Sequence, residues 1–249
     1  MNSNMDINES CVHLSPDKIL DLELKSLSYF KVSPRLKSSH QRFTEDAANE
    51  FARLDAIKKA WLRQRFPLKL VNFESRIDTS YHGKELNIYF GGHVTADSNK
   101  TCTAASYYLT VCMSPNIILR KLHFDYDAGT GGNDPKPFYH LQLGGKLPPL
   151  MEANGFTDEG EKPLYSWLEL PRVSFMPISL FSLTYLILRE FEPENARLLF
   201  DENIWYGHLR DSEKALLLPF FSKCCKIIEN KKSLYHEFLY HRCKPRKKA

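Results

Sequence analysis

Residues 118–127 read Ile-Leu-Arg-Lys-Leu-His-Phe-Asp-Tyr-Asp, and residues 138–143 read Phe-Tyr-His-Leu-Gln-Leu. Both stretches alternate with a period of two, as a strand does when its successive side chains point to opposite faces. In the first, Leu122, Phe124 and Tyr126 share one face, and Lys121, His123, Asp125 and Asp127 share the other. In the second, Tyr139, Leu141 and Leu143 alternate against His140 and Gln142. If both apolar sets enter one core, His123, Asp125, His140 and Gln142 lie together on the opposite face. Partners across an antiparallel pair have a constant index sum, and the face match requires an odd one. A sum of 265 leaves a connecting loop over 128–137 and sets Asp125 opposite His140 and His123 opposite Gln142.

Outward from this hairpin, residues 68–78, 85–96 and 104–114 are likewise rich in Val, Ile, Tyr, Phe and Leu and predict strands. With 117–127 and 137–145 they make five strands, and residues 168–175 offer a sixth, at an edge or with a bulge because of Pro171. The joints are short, so the strands are expected to form an antiparallel meander, since parallel neighbours need long crossovers. The link Tyr81-His82-Gly83-Lys84 reads as a hairpin turn, and Gly91-Gly92 as a bulge.

Helices flank the strand-rich region. Ser15-Pro16-Asp17 is a helix start, followed by Ile19, Leu20, Leu24 and Leu27 at helical spacing. A second helix is expected from Thr44, with Glu45 and Asp46 in its first turn and Phe51, Leu54, Ile57 and Trp61 as its stripe. Beyond Pro177, residues 179–191 predict an apolar helix, Pro193-Glu194 a short one, and Asp211-Ser212-Glu213 the cap of a longer one broken or kinked at Pro219. The expected class is α+β: a meander sheet of five or six strands with N- and C-terminal helices packed on one face. Residues 1–66 read as a helical arm and 67–249 as the α+β core, forming one cooperative domain.

The 249 residues are 43% hydrophobic and 26% charged, an ordinary globular balance with a formal charge of +4. The first ten residues lack the charged start and apolar run of a secretory signal. The longest apolar stretch, 173–188, is interrupted by Pro177 and is shorter than the roughly 20 residues a bilayer span needs. A cytoplasmic chain with no membrane partner is therefore expected. Its six cysteines, at 11, 102, 112, 224, 225 and 243, have no repeated spacing and read as reduced, mostly buried thiols.

The polar hairpin face is the candidate site. Asp125 opposite His140 can fix the tautomer of the ring and raise its basicity, which is what a general base needs. Arg172, after the Leu170-Pro171 step, can reach the same face and meet a phosphate or carboxylate. A His123, Asp125 and His140 set can also be read as divalent-metal ligands, and a face simply wetted by solvent accounts for the same residues without chemistry. The glycine-rich loop 128–136 lacks the Gly-Lys-Ser/Thr ending of a phosphate-binding loop and reads as a hairpin tip. His236-Glu237…His241 has a spacing of five, about 140° around a helix, so its rings cannot share one zinc. The basic tail, Arg242, Lys244, Arg246, Lys247 and Lys248, suits phosphates.

His-Phe-Asp-Tyr-Asp at 123–127, His-Leu-Gln-Leu at 140–143 and Leu-Pro-Arg at 170–172, ahead of an apolar helix, resemble the layout of uncharacterised bacterial proteins of defence and mobile-element islands. The likeness covers about 80 residues and implies a context but no assigned chemistry. Together with the hairpin face and the basic tail, that context points to an accessory or interaction protein of a bacterial defence or toxin-type system, contacting nucleic acid through the basic tail and sheet face, or a protein partner. The enzymatic alternative is a phosphodiesterase or nuclease with His140 or His123 as base, Asp125 orienting it and Arg172 meeting developing negative charge; Gln142 completes the set. The third reading is a purely structural module. No cofactor or metal is expected.

Overall fold

A computed structural model describes residues 16–32, 41–60, 68–96, 102–113, 117–127, 139–144, 147, 149–156, 173–192 and 203–234. Six strands, β1 (Leu68–Tyr81), β2 (Lys84–Ala96), β3 (Cys102–Met113), β4 (Ile117–Asp127), β5 (Tyr139–Leu143) and β6 (Val173–Ser174), form one sheet in chain order. Every neighbouring pair is antiparallel. The expected α+β meander is thus the fold, with the two-residue β6 at its edge.

The β1–β2 turn explains the tightness of the first hairpin. Tyr81 pairs with Lys84, and both His82 (φ 50°) and Gly83 (φ 71°) lie in the left-handed region, the twist-matched geometry of a two-residue hairpin loop. Gly91-Gly92 is not a bulge, because pairing runs straight through both residues. The irregularities fall instead at Lys69/Val71, Thr95/Ala96 and Val111/Cys112. The two glycines are there for proximity. A Cβ at Gly92 would lie 2.3 Å from Tyr107 Cδ1, and one at Gly91 2.1 Å from the Phe73 carbonyl oxygen.

The registers sort the strands into two faces. One carries Phe73, Ile77, Ile88, Phe90, Val94, Tyr107, Leu109, Phe124, Tyr126 and Tyr139, all buried in the main core. Helices α1 (Pro16–Val32) and α2 (Gln41–Ala60) contribute Leu20, Leu24, Leu27, Phe43 and Leu54 to it. Fully burying each such side chain is worth roughly 1.5–3 kcal/mol. α2 starts at Gln41 rather than Thr44, so Glu45 and Asp46 lie beyond its first turn.

A short helix, α3 (Pro149–Ala153), packs on the other face, so the helices do not all share one side. Next come α4 (Leu180–Phe191), capped by Ser179, and α5 (Asn203–Ser212), which runs through a π-helical turn (Glu213–Leu217) into α6 (Leu218–Glu229). Asp211-Ser212-Glu213 therefore caps nothing. The Ser212 hydroxyl is buried 3.0 Å from that of Ser179. Pro219 does not break the helix: its ring would crowd the carbonyl four residues back, and the wider turn, with Leu218 N–H donating to the Glu213 carbonyl, makes room. The short helix expected at Pro193-Glu194 lies outside the described residues. Among the described residues no helix is long and apolar enough to cross a membrane.

Candidate functional site

The hairpin register has the index sum of 265, one of the odd sums the alternation allows: Asp125 pairs with His140 and His123 with Gln142. His140 Nε2 lies 3.6 Å from Asp125 Oδ2. That is ion-pair range if the ring is protonated, and longer than a hydrogen bond. The neighbouring strand adds Tyr108, which pairs with His123, their ring centroids 6.3 Å apart. Gly91 gives the Tyr108 hydroxyl its space, for a Cβ there would stand 2.9 Å from Oη. Burial pushes the Tyr108 phenol well up, so it remains a neutral donor at any physiological pH.

Much of this face is hidden from water, although His123, Asp125 and Gln142 are only half-buried. His140 is 4% exposed, Lys121 7%, Tyr108 7% and Thr110 0%; Asp125 keeps 23% of its side chain open. Part of the cover comes from α3 and the turn after it. Leu147, Met151 and Phe156 pack with Tyr89 and Cys112 into a second, smaller core, and the Leu150 N–H donates to Glu74 Oε2 at 3.0 Å. Beside it, Arg76 pairs with Asp78 and lies 5.9 Å from the Tyr89 ring centroid.

Of the sequence candidates, His123, Asp125, His140 and Gln142 come together on β4 and β5, while Arg172 and loop 128–136 lie outside the described residues. His123, Asp125 and His140 do not converge on a metal position: among the described residues no group of three His, Cys, Asp or Glu does. Of the cysteines, Cys102, Cys112 and Cys224 are buried free thiols, and Cys225 is exposed. Gly144, at φ 89°, ends β5 as a terminator should, its N–H donating to the Lys121 carbonyl. His236, Glu237, His241, Cys243 and the basic tail lie outside the described residues.

A second constellation escaped the sequence reading. Glu23 of α1 is fully buried. Its Oε1 accepts from Tyr107 Oη and from the Leu180 N–H that opens α4, each at 3.1 Å, and among the described residues Oε2 has no hydrogen-bond partner. Burial raises its carboxyl to about 7. It borders a cavity of about 20 Å³, lined also by Phe124, Tyr126, Tyr139 and Ile178, which is room for about one water. The signal was present in the sequence: Glu23 falls at an apolar-stripe position between Leu20 and Leu27, where a solvated acid has no reason to be.

A wider cleft of about 240 Å³ separates α2 from β1 and is lined by Asp46, Glu50, Arg53, Asn72 and Glu74. Its acids are engaged: both Glu50 oxygens accept from Arg53, one of them also from the Asn72 N–H, and Asp46 accepts from Ser75 Oγ.

No family model matches this chain, and no curated protein or solved structure matches it either.

Proposed function

We propose that the chain is an accessory interaction protein of a bacterial defence or toxin-type system, and that it contacts nucleic acid through its C-terminal helix and basic end. The bacterial context rests on the sequence resemblance alone. The nucleic-acid contact rests on the distribution of charge. Residues 203–249 carry eleven Lys and Arg against four Asp and Glu, whereas the rest of the chain is slightly acidic. Arg210, Lys214, Lys226, Lys231 and Lys232 are exposed. Such a surface neutralises phosphates without reading base sequence, and its affinity falls steeply with salt. The test is fluorescence anisotropy of labelled RNA and DNA across a salt series. The reading expects salt-sensitive binding, with Lys226→Ala lowering the log–log salt slope by roughly one. Affinity that is absent, or indifferent to salt, removes it.

The Asp125–His140 juxtaposition favours one alternative, phosphodiesterase or nuclease activity. In that reading Asp125 orients the His140 ring and the neutral Tyr108 phenol donates a hydrogen bond to developing negative charge. A nuclease assay on the purified protein, with Asp125→Asn and Tyr108→Phe, tests it. Turnover unchanged in both variants discards this chemistry.

A further inference from the structure

A sheet edge is where one chain can add to another, and most edges are blunted by lysine, proline, a bulge or mere shortness. The β6 edge is two residues long. The β1 edge has no such protection. Leu68–Tyr81 is the longest strand of the sheet, pairs with no strand but β2 among the described residues, and has no lysine or proline from Asn72 to Tyr81. Its register irregularity falls at Lys69/Val71, before that stretch.

The turn decides which backbone groups point outward. Tyr81 and Lys84 close a two-residue hairpin loop, so they exchange both of their backbone hydrogen bonds. Every second pair back along the strand does the same: Thr79 with Leu86, Ile77 with Ile88, Ser75 with Phe90. The N–H and C=O groups of Asn72, Glu74, Arg76, Asp78 and Ser80 therefore turn away from β2. Asn72 confirms the phase, its N–H donating to Glu50 Oε1 of α2 at 3.0 Å. Glu50 thus closes one end of the edge, and among the described residues no strand lies beyond 74–80.

The side chains say which strand fits. Glu74, Arg76 and Asp78 share the polar face and alternate in sign, while Ser75 and Ile77 are buried on the other face. A second copy of β1 must run antiparallel, because only a two-fold axis normal to the sheet sets polar face beside polar face. With the axis at Ile77, Arg76 stands opposite Asp78 of the other copy, Asp78 opposite its Arg76, and Glu74 opposite its Ser80. An Arg76–Asp78 ion pair already runs along the strand at 2.8 Å, so four charges then alternate in sign around a square. Other axes fit worse. At Arg76, arginine meets arginine and Glu74 meets Asp78; at Asp78, aspartate meets aspartate. An axis at Ser75 brings Asp78 to Asn72, whose N–H Glu50 already holds. One at Thr79 sets Arg76 against the turn residue His82.

We infer that β1 is the contact strand of an antiparallel homodimer that joins two sheets into one, with Ile77 at the two-fold axis and Arg76 paired to Asp78 of the other copy. Glu74, Arg76, Asp78 and Ser80 each exchange both backbone hydrogen bonds with the residue opposite, the strand-addition mode of recognition. A ladder over 74–80 is much smaller than the roughly 20–30 residues a side of a standard interface, so the dimer is a weak one that forms as concentration rises. Self-association stands or falls independently of nucleic-acid binding.

Sedimentation equilibrium of the full chain, without nucleic acid, over a range from micromolar to sub-millimolar tests it. The expected result is a mass rising from one chain toward two. Arg76→Asp and Asp78→Arg each put like charges at all four corners of the square, and each should weaken association at least tenfold. Mixed together, these two variants should associate with one another, and the double variant carrying both changes should dimerise as the wild type does. Ser80→Pro removes an outward N–H without touching a charge and should also weaken the dimer; circular dichroism checks that every variant is folded. A single mass at every concentration overturns the proposal, as does a dimer indifferent to both charge variants. Charge variants that fail alone and also fail to pair when mixed overturn the register. A dimer unchanged by Ser80→Pro overturns pairing through the backbone.

Discussion

The two faces of the sheet are made by the same strands, yet they obey different rules. On the helix-covered face, Phe73, Phe90 and Phe43 meet ring to ring with centroids 5.5–6.1 Å apart, and burial itself supplies the stabilisation. On the other face Lys121, His140, Tyr108 and Thr110 are just as hidden from water, but each brings a polar group whose desolvation must be offset by a partner. The first face tolerates almost no loss of volume. The second should tolerate loss of volume better than loss of a partner where a partner exists.

Mutations can widen or close that contrast. The largest effect is expected on the apolar face, where Phe90→Ala should cost about 3–5 kcal/mol in denaturant unfolding because Phe90 is fully buried. A loss under about 1 kcal/mol would mean that the two faces are not distinct. Next is Glu23, a fully buried acid within the apolar layer. Its carboxyl is raised from 4.5 to about 7, so the folded state prefers the protonated form. That stability is fully present below about pH 4.5 and is lost as pH rises to about 7, a difference of about 3 kcal/mol at most. Glu23→Gln keeps an acceptor for Tyr107 and Leu180, and should flatten the dependence of Tm on pH between 5 and 8 and raise Tm at pH 8. A slope identical to wild type would remove Glu23 as its source. The smallest effect is expected at Thr110 on the polar face, whose buried hydroxyl has no hydrogen-bond partner among the described residues. Thr110→Val should therefore change stability by less than about 1 kcal/mol, and in the favourable direction. A marked loss would reveal a hidden partner.

Much of the sheet could be read from the chain because its information is local. Period-two alternation on both sides of one loop leaves few registers for β4–β5, and the one chosen is found. The first helix was equally legible, since proline and stripe agree there, while the cap expected at Ser15 lies outside the described residues. Pro219 misled because a proline forbids a regular turn, and its sequence does not say whether the chain will break or widen; the π turn is the second choice. The cover on the polar face was invisible for another reason. α3 has only five residues, too few for a period to register, so Leu147, Met151 and Phe156 gave no sign that they would roof Tyr89. Gly91-Gly92 was read for backbone freedom when what the site uses is absence of volume, a distinction that requires knowing where Tyr107 and Tyr108 lie. Tyr108 itself needed the β3–β4 register, which a bulge at Val111/Cys112 obscures.

The tight turn at His82-Gly83 bears on the order in which the molecule assembles. β1 and β2 are the longest strands, paired over nearly their whole length and joined by two residues, so their closure costs little chain entropy. In a meander each later strand then adds to a neighbour already in place. The tight turn favours early closure at the β1 edge, at the opposite end of the sheet from the β4–β5 hairpin that carries Asp125 and His140.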